Sequence, residues 1–228
     1  PMKRLVTTLA LLVVCAGTAS AANPMRISQV YGGGGGSTGV FLRDFVELYN
    51  SGATPVNIGG WTIEYGSATG TWGSSTGNIF TFPVGTTVQP CQYILIECGA
   101  AGTSGVALSP AADFQTPTTG FSMSGTSGKV ALFNAVNSNV ACGSEIAGTL
   151  VDKVAYGTAN CAEGTAVSGM SATVAAIRNS AGNTDTDNNS VDFTTGTPTP
   201  RNSSSTNPAC LATPTSRSTW GSVKAIYR

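Results

Sequence analysis

Asp44-Phe45-Val46-Glu47-Leu48-Tyr49-Asn50-Ser51-Gly52, followed after a short apolar step at Val56 to Ile58 by Gly59-Gly60-Trp61-Thr62-Ile63, decides the reading of this chain. Phe45, Glu47 and Tyr49 alternate with Val46 and Leu48, which is the period of a β-strand. Asn50-Ser51-Gly52 carries turn chemistry, and Gly60 breaks the chain again before a second strand that places Trp61, Ile63 and Tyr65 on one face. Phe45, Leu48, Trp61 and Ile63 are the expected core, with Trp61 as its buried tryptophan.

The rest of the chain fits an all-β protein. Only 10% of its 228 residues are charged, and it holds 29 glycines. Low charge and many turn formers argue against a helical bundle. Short apolar runs at 27–31, 40–49, 79–82, 93–97, 129–133, 150–156 and 172–178 predict eight or nine strands and no helix within the domain. The 129–133 and 150–156 runs are expected to pair. Gly32 to Gly36 reads as a flexible loop, since the Lys-Ser/Thr and helix of a phosphate-binding loop do not follow it. Residues 99 to 128 form a long excursion anchored by Phe114, Phe121 and Met123. Trp72, on a glycine-rich loop, is either a ligand-stacking platform or a plug over the sandwich end.

Several stretches resemble, in order, the lamin-tail domain in its secreted bacterial branch. They are the opening stretch itself, Ile27-Ser28-Gln29-Val30-Tyr31 with the glycine run, and Ser124 to Leu132. Val151 to Gly157, Asp185-Thr186-Asp187-Asn188-Asn189 and Pro198-Thr199-Pro200-Arg201-Asn202 complete the set. The resemblance spans about residues 26 to 203 and implies an immunoglobulin-like β-sandwich with an exported address. It also implies a structural, adhesive or accessory role, because relatives are often attached to secreted nucleases or phosphatases.

Residues 1–21 read as a signal peptide. Lys3 and Arg4 form its charged start, Leu9 to Ala16 its apolar stretch and Ala19-Ser20-Ala21 its small-residue cleavage site. The apolar run is too short for a membrane span. The domain is then 22–203, with a Ser/Thr/Pro-rich tether and a short amphipathic end at 204–228. Trp220, Val223 and Tyr227 share one prospective helical face there, a candidate partner-docking tail. Eleven acidic and six basic side chains fall in 22–203, a balance of −5, so nucleic acid is not an expected partner.

Cys91, Cys98, Cys142, Cys161 and Cys210 remain after cleavage, and an odd count leaves one without an intramolecular mate. Cys91 and Cys98 would stand roughly 23 Å apart on one strand, too far to bond. Cys142 and Cys161 flank the 151–156 strand and are the favoured disulfide.

Asp185, Asp187, Asn189 and Asp192 match the start of a calcium loop, although Ser190 stands where such loops need glycine. The alternative is a polar turn bonded to its own backbone. Glu47 shares a face with Phe45 and Tyr49; if that face is buried it needs a cation, and Arg178 is the candidate. The chain contains no histidine, which removes the commonest general base, and no Ser-x-x-Lys stands at a strand–helix turn. The sequence therefore points to no enzyme. It predicts an exported binding module for an unidentified protein or glycan surface, the alternative being an accessory or targeting subunit of a secreted metal-dependent nuclease or hydrolase.

Overall fold

The computed structural model describes residues 23–205 and residue 207. The expected signal peptide, Cys210 and the Trp220, Val223, Tyr227 face lie outside the described residues. The first strands are β1 (Met25–Tyr31), β2 (Asp44–Asn50), β3 (Val56–Asn57), β4 (Thr62–Ser67), β5 (Ile79–Thr81) and β6 (Thr87–Val88). They are followed by β7 (Tyr93–Cys98), β8 (Phe114–Gln115), β9 (Gly128–Phe133), β10 (Leu150–Tyr156), β11 (Ala175–Arg178) and β12 (Phe193–Gly196). The twelve strands among the described residues exceed the eight or nine expected because β3, β6 and β8 are two-residue pairings with no periodicity to detect.

Two sheets pack face to face. The first has the order β12-β11-β1-β2-β7-β8 and the second β10-β9-β4-β5, while β3 and β6 pair separately. The expected pairing of 129–133 with 150–156 is the antiparallel ladder of β9 and β10. Between the sheets lies one apolar core containing Val46, Leu48, Ile63, Tyr65, Ile94, Ile96, Val130, Leu132, Val154 and Tyr156.

The outer faces are covered too, which is why every residue of β2 is buried. Phe45 leaves the central core and packs outward with Tyr31, Phe41, Leu95, Leu108 and Ala175. The cover comes from residues 32–43 and from the excursion after β7, joined where Leu42 N–H donates to Val106 O at 2.8 Å. Residues 40–43 therefore belong to the cover, and the strand predicted from Val40 starts at Asp44. The glycine run is a fitted loop, contrary to the flexible one expected. A Cβ on Gly33 or Gly34 would overlap backbone atoms of Ala172 or Arg43.

The second sheet's outer face holds a small cluster of Trp72, Ala131 and Phe133, with the two rings edge-on at 5.7 Å. Trp72 is completely buried, so of the two readings for it the structure takes the plug, set over the sheet face. Trp61 is only half-buried against the central core. It precedes the first residue of β4, at the rim of the sandwich, where its carbonyl receives Phe82 N–H at 2.9 Å. The tryptophan that alternation places in the core is thus at its edge, and the one on the loop is enclosed.

Trp72→Ala should accordingly cost about 3–5 kcal/mol in denaturant melts, as truncation of a fully buried aromatic does. Trp61→Ala is expected to cost about half as much. The reverse order would contradict the burial described here.

Candidate functional site

Glu47 faces outward from β2 with all of its side chain buried. It does meet a cation, but that cation is Arg201. The guanidinium Nη2 donates to Oε1 at 2.7 Å, the Arg201 backbone N–H donates to Oε2 at 2.6 Å, and Ser28 Oγ donates to Oε1 at 2.5 Å. Arg201 also donates to Tyr93 Oη at 2.7 Å and lies 3.9 Å over that ring. The segment following β12 is thereby strapped across the first sheet, with Thr199 bonded to Gln29 and Ser203 to Asp113.

The expected Glu47–Arg178 pair is not formed. Gln29 is opposite both Glu47 and Ile177 in the sheet, so Ile177 shares Glu47's outer face and Arg178, one residue on, points between the sheets. There Arg178 Nη2 donates to Asp152 Oδ2 at 2.7 Å, and its Nε donates to Ile27 O at 2.8 Å. Asp152 shares the inward face with Val154 and Tyr156 by strand alternation, and its carboxylate accepts Ile27 N–H at 2.6 Å.

Three of the four residues proposed for calcium, Asp185, Asn189 and Asp192, have oxygens engaged by protein donors. Asp185 is turned to arginines, 3.0 Å from Arg26 and 3.3 Å from Arg178. Both oxygens of Asp192 accept from Thr186 N–H, at 2.9 and 3.0 Å. Asn189 accepts from Ala155 N–H and donates to Lys153 O, closing the outer edge of β10 as a strand would. Asp187 occupies a left-handed position (φ 55°). Oxygens aimed at N–H groups match the self-bonded polar turn. A different trio, Asp152, Glu163 and Asp185, brings carboxylate oxygens within 4.8 Å of one another, and Arg178 supplies positive charge there.

Cys142 and Cys161 form the expected disulfide, with Cα atoms 5.9 Å apart. Cys98 is a buried free thiol, and Cys91 is disulfide-bonded. Cys91 precedes β7 in a left-handed turn position (φ 61°) and Cys98 ends the strand, so the two are not joined to each other. Cys142, Glu145 and Cys161 also gather within ligand distance, but the two sulfurs are committed to each other.

A concave surface lies elsewhere, along the side where β5 and β8 end their sheets. β5 closes the second sheet and β8 the first, and a groove of about 530 Å³ separates them. Ile79, Phe80 and Thr81 form one wall, and Gln115, Thr116, Pro117 and Thr118 the other. Half-buried Phe80 and Phe114 meet at 5.9 Å, and buried Phe82 packs edge-on to both. One end is fixed where Asn78 Oδ1 accepts Phe121 N–H at 3.1 Å and the Gly77 and Gly120 backbones touch. Among the described residues, no charged side chain lines the groove. Hydroxyls, one amide and aromatic rings are recognition chemistry.

The model of the lamin tail domain family matches residues 18–158. The chain belongs to that family. Its fold is accordingly an immunoglobulin-like β-sandwich. Among solved structures, a DUF4876 family protein from Bacteroides thetaiotaomicron is similar at 17% identity and a TM-score of 0.54, covering 83% of this chain and 75% of its own. That likeness concerns the fold alone. No curated protein matches.

Asp44, which sequence reasoning left without a role, holds Gly34 N–H at 2.8 Å and Met123 N–H at 2.7 Å, pinning the glycine loop and the end of the long excursion. Burial raises its carboxyl to about 7 despite those amides. Burial likewise raises Asp152 to about 6 against the pull of Arg178, and raises Glu163 to about 8, with Asp152 adding to the effect. Glu47 is shifted upward by burial, which Arg201 only partly offsets.

A carboxyl that binds its proton more tightly in the fold contributes stability in full in acid and loses it as pH rises through the folded value. Thermal stability should therefore be higher near pH 5 than at pH 8.5, and calorimetry showing a steady rise across that range would refute it. Arg201→Ala should cost about 3–5 kcal/mol at neutral pH, because it strands a buried carboxylate. Its deficit should shrink in acid, where Glu47 takes up a proton; denaturant melts at two pH values check both statements.

Proposed function

We propose that this protein is an exported, non-catalytic lamin-tail module with a structural or adhesive role at the cell envelope or outside the cell. It binds an extended, uncharged polypeptide segment in the groove between β5 and β8. The observation that carries this reading is the meeting of two sheet edges at one groove. β5 and β8 each end a sheet, and a terminal strand offers main-chain groups to an added strand. Natural edges are blunted by shortness, lysines, prolines or inward charges. Ile79-Phe80-Thr81 is short but carries no lysine, proline or charge. The uncharged lining favours a neutral occupant, since a charged one would lose hydration there without compensation. The disulfide supports an oxidising compartment. Among the described residues, no helix is long and apolar enough to cross a membrane.

An array of uncharged octapeptides with alternating threonine and aliphatic residues, beside a glycan array, tests the proposal. Peptide binding should shift the NMR amide signals of 79–81 and 115–118. The exposed-site variants Thr81→Lys and Thr118→Lys should weaken it at least tenfold while melting like the parent. Binding to glycans alone, or peptide binding that both variants retain, would overturn the reading. Hydrolysis of DNA by the pure protein with divalent metal would overturn the non-catalytic assignment.

A further inference from the structure

Glu64 of β4 carries a buried carboxylate oxygen that stands out among the described residues. It points outward from β4 beneath the 134–149 segment and is completely buried. Its Oε1 accepts from Asn137 N–H at 2.7 Å and from Thr62 Oγ1 at 3.1 Å. Its Oε2 is buried with no hydrogen-bond partner among the described residues. A carboxylate oxygen left bare in an apolar setting is costly, and buried polar atoms almost always have partners.

Among the described residues, the surroundings offer no counter-ion. On the same face, β5 contributes Ile79 and β9 contributes Ala131 opposite Glu64. Lys129, one step along β9, directs its ammonium to Gly70 O at 2.7 Å and Asn160 Oδ1 at 2.6 Å, and lies 5.5 Å over the Trp72 ring. Lys153 is two strands away, about 10 Å at normal strand spacing, with its ammonium beside Cys161. In the overlying segment the charged group is Glu145, which accepts from Trp72 Nε1 at 2.8 Å and Gly143 N–H at 2.9 Å.

That segment forms a cover over the sheet. Asn137 links it to Glu64, and Asn137 also organises it, accepting Ile146 N–H at 2.8 Å and donating to Thr149 Oγ1 at 2.8 Å. Trp72 N–H donates to Val140 O, and the Cys142–Cys161 disulfide ties the cover's middle to the chain after β10. It seals Trp72, Ala131 and Phe133 from water.

We propose that Glu64 is a proton-operated latch: neutral, it lets the 134–149 flap seat on the second sheet, and ionised, it loosens the flap. The disulfide keeps the loosened flap attached. Burial shifts the Glu64 carboxyl upward, against the amide of Asn137 and the hydroxyl of Thr62, in keeping with a latch closed by a proton. The seating energy is complete in acid and is lost as pH rises through the folded-state value. Glu145 shifts the other way: burial would raise it, but the Gly143 amide and the Trp72 indole bring it below its ordinary value, so it is already ionised where Glu64 titrates.

The test uses the full chain. The side-chain carboxyl carbon of Glu64, followed by NMR, should titrate above the ordinary glutamate value. Hydrogen-exchange protection at Asn137 and Ile146, corrected for intrinsic exchange, should fall up to tenfold per pH unit between the ordinary and folded values. Glu64→Gln should remove that dependence, and Glu145→Gln should leave it intact. A Glu64 carboxyl titrating at or below the ordinary value would overturn the proposal from the parent protein alone. So would protection in which the parent and Glu64→Gln respond to pH alike.

Discussion

The pair formed by Arg178 and Asp152 joins the two sheets with charge in the space where the rest of the contact is apolar. The guanidinium comes from β11 of one sheet and the carboxylate from β10 of the other, and both bond the backbone of β1 at Ile27. An uncompensated ion in that space would be strongly destabilising, so each partner requires the other to be correctly placed. That requirement couples three strands distant in sequence with the turn at 184–192. The turn reaches Arg178 through Thr184 O and Asp185, and Phe193 covers the guanidinium at 4.5 Å. Hydrophobic burial brings the sheets together without strong direction. The ion pair admits far fewer relative positions, because hydrogen bonds to a charge are short and angular.

A second constraint is that both sheets are covered on their outer faces. A sandwich that left those faces in water would show polar residues at every second strand position. Here Phe45, Leu95 and Phe133 occupy such positions, and loops must bury them. The covering loops carry few apolar residues, so close backbone approach does much of the sealing. The glycines of 32–36 and the carboxylate of Asp44 serve that purpose. Polar residues remaining on the outer faces are then buried as well. Glu47 is compensated by the Arg201 strap, whereas Glu64 is satisfied on only one oxygen.

The strand edges at β5 and β8 end their sheets on the same side of the sandwich. The edge of β10 is closed by Asn189 and by the bridge from Tyr156 to Val167. Among the described residues, no further strand closes the side lined by Phe80, Phe114 and threonines. An immunoglobulin-like fold is compatible with many functions, so the chemistry of that groove carries the functional argument.

Alternation along β2, β4 and β9 and the turn residues between them were enough to place the strands, because side-chain period is a local property of the chain. The Cys142–Cys161 bond was legible from spacing, as was the need of Glu47 for a cation, since a carboxylate between Phe45 and Tyr49 on a buried face cannot stand alone. Which cation met it was not legible. A pattern of alternation states that Ile177 and Arg178 face opposite ways but not which of them faces the other sheet, and that parity is set by pairing with β1. The same limit misassigned the tryptophans: Trp61 continues the alternation but stands beyond the last paired rung of β4, and Trp72 is buried by a segment more than sixty positions later in the chain. The polar turn at 185–192 had the composition of a cation loop, and only the directions of Asp185, Asn189 and Asp192 showed which groups their oxygens serve. The groove has no sequence signature of its own, because its walls are the ends of two sheets that meet only after the whole sandwich has closed.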